Sequence, residues 1–268
     1  MQVLIAASAA ETAGLAAAAV ISGWPRWPGD GPAMKRAPVL GLATGSSPLG
    51  LYAALGRAVA RSDVDFSTAL GFALDEYVGL PANHPQSYRN VLEREVCRVI
   101  GLPVERLHVP DASTGSAADL RLRAAAYEQQ ISDAGGIDVQ ILGIGANGHL
   151  GFNEPGSALA SRTRVKRLAA RTREDNARFF PGAASVPTHC LTQGLGTIAR
   201  AHRLVLVANG PGKAAAVAAA LEGPLSGSCP ASILQWHPDA VVVLDAAAAA
   251  GLRNRAYYDD AAAGLGMS

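Results

Sequence analysis

Three short segments carry residue types that can move protons or hold an anion. The first is Gly143-Ile-Gly-Ala-Asn147-Gly-His149, with Glu154 close behind it. Its glycines admit unusual backbone angles or the close approach of a ligand. A carboxylate that accepts the proton on one imidazole nitrogen leaves the other nitrogen as an acceptor and raises the ring's basicity. His149 and Glu154 are therefore a candidate acid–base pair. The second segment is Asp75-Glu76, at the end of the apolar run Gly71-Phe-Ala-Leu. Successive strand residues point to opposite faces, so only one of these carboxylates can serve a site as a general base. A solvated strand end is the alternative. The third is Thr44-Gly45-Ser46-Ser47-Pro48, between an apolar run and a helical pattern. Ser47 suits an N-cap and Pro48 the first helical position. A helix N-terminus offers unpaired N–H groups and partial positive charge, which suit an anion. No Lys-Ser/Thr follows the glycine, so this is not a Walker loop, and a sugar monophosphate fits it better than ATP. The segment reads equally well as a plain capped turn.

Other chemistries find little support. Gly143-x-Gly145-x-x-Gly148 matches the dinucleotide fingerprint formally, but that motif should open a helix and meet an acidic residue about 20 positions on. Here Asn153-Glu-Pro155-Gly156 interrupts any helix, and the chain beyond is basic. No HExxH or paired-histidine spacing suggests a metal. His84, His108, His189, His202 and His237 read as structural. Cys97, Cys190 and Cys229 are widely spaced and odd in number, as expected of buried free thiols in a reducing cytoplasm.

The elements that must position these groups alternate along the chain. Apolar runs at 2–5, 38–43, 71–74, 137–144, 203–208 and 240–244 read as strands. Several are rich in Val, Ile or Leu and nearly continuous, as strands buried on both faces should be. Helical patterns fall at 10–21, 48–60, 86–100, 117–134 and 212–221. This alternation predicts an α/β fold, a parallel sheet with helices on both faces, in which ligands bind beyond the carboxyl ends of the strands. All three candidate segments lie just there. The polar stretch 155–187, with Arg162, Arg164, Lys166, Arg167, Arg171, Arg173 and Arg178, breaks the rhythm and reads as a lid-like insertion in a single domain spanning 1–268. A Pro/Gly loop from Trp24 to Pro32 suggests no chemistry.

Bulk properties agree. The chain has 268 residues, 49% hydrophobic and 17% charged, with net charge +1. Such a chain buries a substantial core and shows no basic field for nucleic acid. The apolar N-terminus has no Lys or Arg before Arg26 and is interrupted by Glu11, so it reads as a strand and an Ala-rich helix rather than a signal peptide. No run reaches the ~18 uncharged apolar residues of a membrane span.

The segments around Thr44–Pro48 and Asp75–Tyr77, the run from Gly143 to Gly156, Ser161-Arg-Thr-Arg164-Val-Lys166, Asn176-Ala-Arg178-Phe-Phe and Gly212-Lys213-Ala occur together and in order. On them the chain resembles the glucosamine-6-phosphate deaminases over nearly its whole length. The resemblance implies a Rossmann-like fold, a cytoplasmic enzyme of amino-sugar catabolism, and no metal or organic cofactor. It assigns Asp75 to proton transfer between C2 and C1 of the open-chain sugar, and His149 to ring opening, supported by Glu154 and Asn147. Thr44, Gly45, Ser46, Ser47, Arg178 and Lys213 would hold the substrate's phosphate. The implied partner is a small sugar phosphate, with no nucleic acid or membrane, and a homo-oligomer is compatible with it. Some members carry Asp where Asn147 stands; an amide adds no charge, so a weaker upward push on the His149 pKa is expected. Some are regulated by N-acetylglucosamine 6-phosphate at subunit interfaces, a basic region that Arg164 and Lys166 fit as well as they fit a solvated lid face. A galactosamine-6-phosphate deaminase, a phosphogluconolactonase-like hydrolase and a non-catalytic sugar-phosphate sensor are the alternatives. Retention of Asp75, His149 and Glu154 together speaks against the sensor.

Overall fold

The computed structural model describes residues 1–25 and 36–264. The Trp24–Pro32 loop lies outside the described residues from position 26 onward. In chain order the elements are β1 (Gln2–Ala6), α1 (Ala9–Gly23), β2 (Val39–Leu42), α2 (Leu49–Ala60), β3 (Leu70–Ala73), β4 (Asp75–Tyr77), α3 (Tyr88–Leu92), α4 (Arg98–Ile100), β5 (Leu107–His108) and α5 (Ala117–Asp133). There follow β6 (Val139–Leu142), β7 (Arg164–Arg167), α6 (Ala170–Asn176), β8 (His189–Thr192), α7 (Leu195–Ile198), β9 (Arg203–Ala208), α8 (Ala214–Glu222), β10 (Ala240–Asp245) and α9 (Arg255–Gly264).

Seven strands form one sheet in the order β1-β10-β9-β6-β2-β3-β5, and every pairing in it is parallel. Each residue of β2 and β6 is buried, so both faces of the sheet centre are covered, as their continuous apolar sequences require. From β2 the chain proceeds outward through β3 and β5, then returns to place β6 on the other side of β2. The order reverses between β2 and β6, and a crevice opens at their carboxyl ends. One buried polar residue interrupts the apolar centre. Gln140 of β6 donates to the Ile141 carbonyl at 2.9 Å and occupies the space beside Gly41, where any side chain would collide with it. At the amino ends, Asp138 accepts from Arg36 at 2.6 and 2.9 Å and from the Val39 amide at 2.8 Å, tying the start of β2 to β6.

A second, antiparallel sheet runs β4-β8-β7. Sequence patterning had not anticipated it, nor the two-residue β5. Part of the basic stretch 155–187 is thus woven into a sheet as β7, while α6 and the turns after it border the crevice. The helix expected over 86–100 is three pieces, with a wide π turn at Glu93–Cys97 between α3 and α4, and Gly101 (φ 72°) ends it. Among the described residues, no helix is long and apolar enough to cross a membrane.

Candidate active site

A cleft of about 310 Å³ lies at the reversal between β2 and β6. Its floor comes from the turns that leave β2, β3 and β6, and α6 forms a wall. The three chemically promising segments meet there: Thr44 to Pro48, Asp75, Gly143 to Ala146 and His149 line it, with Arg178 and Lys213.

The turn after β2 is held from below. The buried Tyr52 hydroxyl accepts from the Ala43 amide at 3.1 Å and donates to its carbonyl at 2.9 Å. Gly45 then takes φ 99°, a left-handed angle that favours glycine. Helix α2 starts at Leu49, one residue later than expected. Pro48 occupies the cap position, and no side-chain hydrogen bond closes the helix end. The expected Ser47 cap is therefore not made, and the Ser46 and Ser47 segment lines the cleft. Across the cleft, burial holds Lys213 below its ordinary pKa; Asp175 pulls it upward and Arg178 pushes it down. The Arg178 guanidinium lies 4.8 Å from the centre of the Phe179 ring.

Asp75 and Glu76 part company by alternation. In the pairing of β4 with β8, Asp75 stands opposite Thr192 and Glu76 opposite Leu191. Asp75 opens toward the cleft, only 5% exposed, with the Thr192 hydroxyl at 3.5 Å. Burial first, and the Glu76 charge second, push its pKa up to about 8. Gly151 passes directly over it: a Cβ there would stand 3.0 Å from Asp75 Oδ2. Glu76 turns away and accepts from the amides of Tyr77, Tyr88 and Arg89 at 2.8, 2.9 and 3.0 Å, closing the N-terminus of α3.

The loop after β6 is compact. The Gly145 amide donates to the His149 carbonyl at 3.0 Å, and the Gly148 amide to the Gly145 carbonyl at 3.0 Å. A Cβ on Gly145 would collide with the His149 ring. Gly148, at φ 84°, packs on Cys229. Glu154 Oε2 stands 3.8 Å from His149 Nδ1 and accepts from Asn147 Nδ2 at 2.8 Å. Asn147 Oδ1 in turn accepts from the His149 amide at 3.2 Å. The other Glu154 oxygen accepts a short hydrogen bond from the Thr172 hydroxyl. Burial is the largest influence on His149 and lowers its pKa; Glu154 and Asp175 oppose that, and Lys213 adds to it. A neutral imidazole at neutral pH keeps an acceptor nitrogen for a substrate proton.

All ten sequence-selected residues thus meet at or beside one cleft, with Asn147 and Glu154 behind His149. Sequence reasoning missed Thr172, Asp175, Asn176, Tyr88 and Gly151, which also line it. Gly151 and Asn176 lie within segments that carry the family resemblance; the others carry no signal, because their place depends on the second sheet and on α6. Two of the other histidines fit structural settings: His237 is buried against the Ala201 carbonyl at 2.8 Å, and His108 stacks on Phe72, while His189 and His202 are exposed.

Residues 31–243 match the family described as glucosamine-6-phosphate isomerases/6-phosphogluconolactonase. A protein of Cutibacterium acnes called glucosamine-6-phosphate deaminase is 54% identical over 223 residues, 83% of this chain and 84% of that protein. A Rhodococcus jostii protein of the same description is 54% identical over 226 residues, 84% of this chain and 86% of its own. Among solved structures, a monomeric glucosamine-6-phosphate deaminase superposes with TM-score 0.83 at 38% identity, covering 94% of this chain and 100% of its own. A 6-phosphogluconolactonase from Trypanosoma brucei, at 21% identity and TM-score 0.68, shares the fold. The α/β fold described above is the frame this chain shares with these solved structures. This chain belongs to the glucosamine-6-phosphate isomerase/6-phosphogluconolactonase family.

Proposed function

We propose that this chain is a glucosamine-6-phosphate deaminase, converting glucosamine 6-phosphate and water to fructose 6-phosphate and ammonia. One observation carries the reading: a buried carboxyl, Asp75, and an imidazole, His149, open into the same cleft as a helix N-terminus, Arg178 and Lys213. The relatives at 54% identity support it.

The reaction follows from this arrangement. The phosphate seats against Thr44, Gly45, Ser46 and Ser47 and between Arg178 and Lys213, remote from the reacting carbons. Its binding energy positions those carbons. His149 takes the proton of the C1 hydroxyl and returns one to the ring oxygen, which opens the ring. Glu154, braced by Asn147, balances the transient imidazolium. Asp75 removes the C2 proton and delivers it to C1, while the aldehyde oxygen gains a proton and the amine nitrogen loses one, leaving an imine at C2 and a hydroxyl at C1. Water adds to that imine, and the carbinolamine expels ammonia to leave the ketone. A carboxyl whose pKa is raised toward the working pH is a stronger base, once ionised, than an ordinary aspartate.

We read residues 155–187 as a lid over this site within a single domain. The three free thiols suit a reducing cytoplasm, though Cys229 is only half-buried.

The test is direct. Purified protein is incubated with glucosamine 6-phosphate, and ammonia and fructose 6-phosphate are assayed together. Equimolar release supports the proposal; release of neither product at micromolar enzyme overturns it. Galactosamine 6-phosphate and 6-phosphogluconolactone, run in parallel, separate the related activities.

A further inference from the structure

Helix α6 (Ala170–Asn176) turns three residues toward the cleft: Thr172, Asp175 and Asn176. Their i, i+3, i+4 spacing puts them on one helical face. Each connects to a different part of the site. Thr172 donates its hydroxyl to Glu154 Oε1. The Asp175 charge acts on both His149 and Lys213. Asn176 donates to the Tyr77 hydroxyl at 3.0 Å, and that hydroxyl meets Tyr88, which lines the cleft, at 3.2 Å. Arg178 follows just past the helix end.

The Thr172 contact has a specific mechanical effect. Glu154 is held at both oxygens, by Thr172 at Oε1 and by Asn147 at Oε2. Two donors on opposite oxygens fix the plane of a carboxylate and its distance from His149 Nδ1. Thr172 is only 6% exposed, so water cannot readily replace its hydroxyl.

We infer that Thr172 is a positioning residue: its hydroxyl orients Glu154 against His149 and joins the helix that leads into the phosphate site to the ring-opening pair. The inference rests on the deaminase reading for its rate effect, but not for its effect on the imidazole. When the hydroxyl is removed, the carboxylate pivots about Asn147 and its charge averages farther from the ring.

The experiment compares Thr172→Val, which keeps the shape, with Thr172→Ser, which keeps the hydroxyl. With glucosamine 6-phosphate, Thr172→Val lowers kcat about 10–100-fold, the scale of one lost charge-assisted hydrogen bond, with KM nearly unchanged. The His149 imidazole, followed by NMR, titrates at lower pH than in the unaltered protein. Thr172→Ser restores both. Inhibition by inorganic phosphate stays as it was, which shows that the anion site is intact. An unmoved His149 titration in Thr172→Val overturns the inference, as does a rate loss that serine fails to rescue. If Thr172→Val and Thr172→Ala both unfold, the residue is structural and the inference fails. An unaltered protein that releases no ammonia overturns the deaminase reading alone, since the His149 titration still decides the role of Thr172.

Discussion

Asn147 donates from Nδ2 to Glu154 Oε2 across 2.8 Å, and that same oxygen stands 3.8 Å from His149 Nδ1. The amide holds the carboxylate just beyond hydrogen-bond reach of the ring, whose buried Nδ1 has no hydrogen-bond partner among the described residues. Asn147→Asp removes the donor, frees Oε2 and adds a charge. The His149 pKa is expected to rise, because a second nearby carboxylate favours the imidazolium. The neutral acceptor form then declines below that higher pH. NMR titration of the ring measures it, and an unchanged midpoint would show that the amide does not govern the imidazole.

Asp75→Asn is expected to lower turnover by about 10²–10⁴-fold, the usual reach of a general base, while fructose 6-phosphate still binds. Loss of binding in equal measure would make Asp75 structural. The same variant has a stability signature. Folded Asp75 keeps its proton to about pH 8, whereas an ordinary aspartate releases it near 3.8. Across that interval the folded state binds the extra proton, so stability falls as pH rises. Asparagine does not ionise. The variant should match the unaltered protein near pH 4 and exceed it by a growing margin toward pH 8 in urea denaturation.

Lys213→Ala and Arg178→Ala should each weaken fructose 6-phosphate binding about tenfold or more, the loss of a charge-assisted contact to phosphate. Calorimetry with fructose 6-phosphate and with inorganic phosphate reads this. Unchanged affinity in both variants would move the phosphate elsewhere.

Gly145→Ala tests the packing of the ring rather than its charge. The new methyl would occupy the space of the His149 imidazole. The ring must swing away from the cleft, so kcat should fall at least tenfold while phosphate inhibition persists. Near-normal turnover would mean that the loop relaxes without moving His149.

The strands of the large sheet were legible because β2, β6, β9 and β10 are short, apolar and buried on both faces. From residue type and position alone Asp75 was legible only as half of a pair, and the family resemblance singled it out; a physical reason had to come from the fold. That reason is the register with β8, a strand of sequence His-Cys-Leu-Thr whose mixed character gives no periodic signal. Ser47 met every local criterion for a cap, yet the helix begins after Pro48, a shift of one residue that leaves the helix end open toward the cleft. Thr172 could not be singled out at all. A threonine on a short polar helix is unremarkable until the fold brings Glu154 beside it.

Gly151 carries a stereochemical consequence. At φ 54° it bends over Asp75, where a side chain would stand 3.0 Å from the carboxyl and 3.1 Å from Thr192 Oγ1. A single carboxyl, opening into the cleft beside that bare backbone, would meet a bound sugar from one side. Under the proposed role, hydrogen leaves C2 and arrives at C1 on the same face of the enediol-like intermediate. A substrate deuterated at C2 should yield fructose 6-phosphate labelled in one prochiral position at C1, diluted only by exchange at the carboxyl. The room left by one glycine's missing side chain thus bears on the handedness of an isotopic label, at a carbon that is no stereocentre until deuterium makes it one.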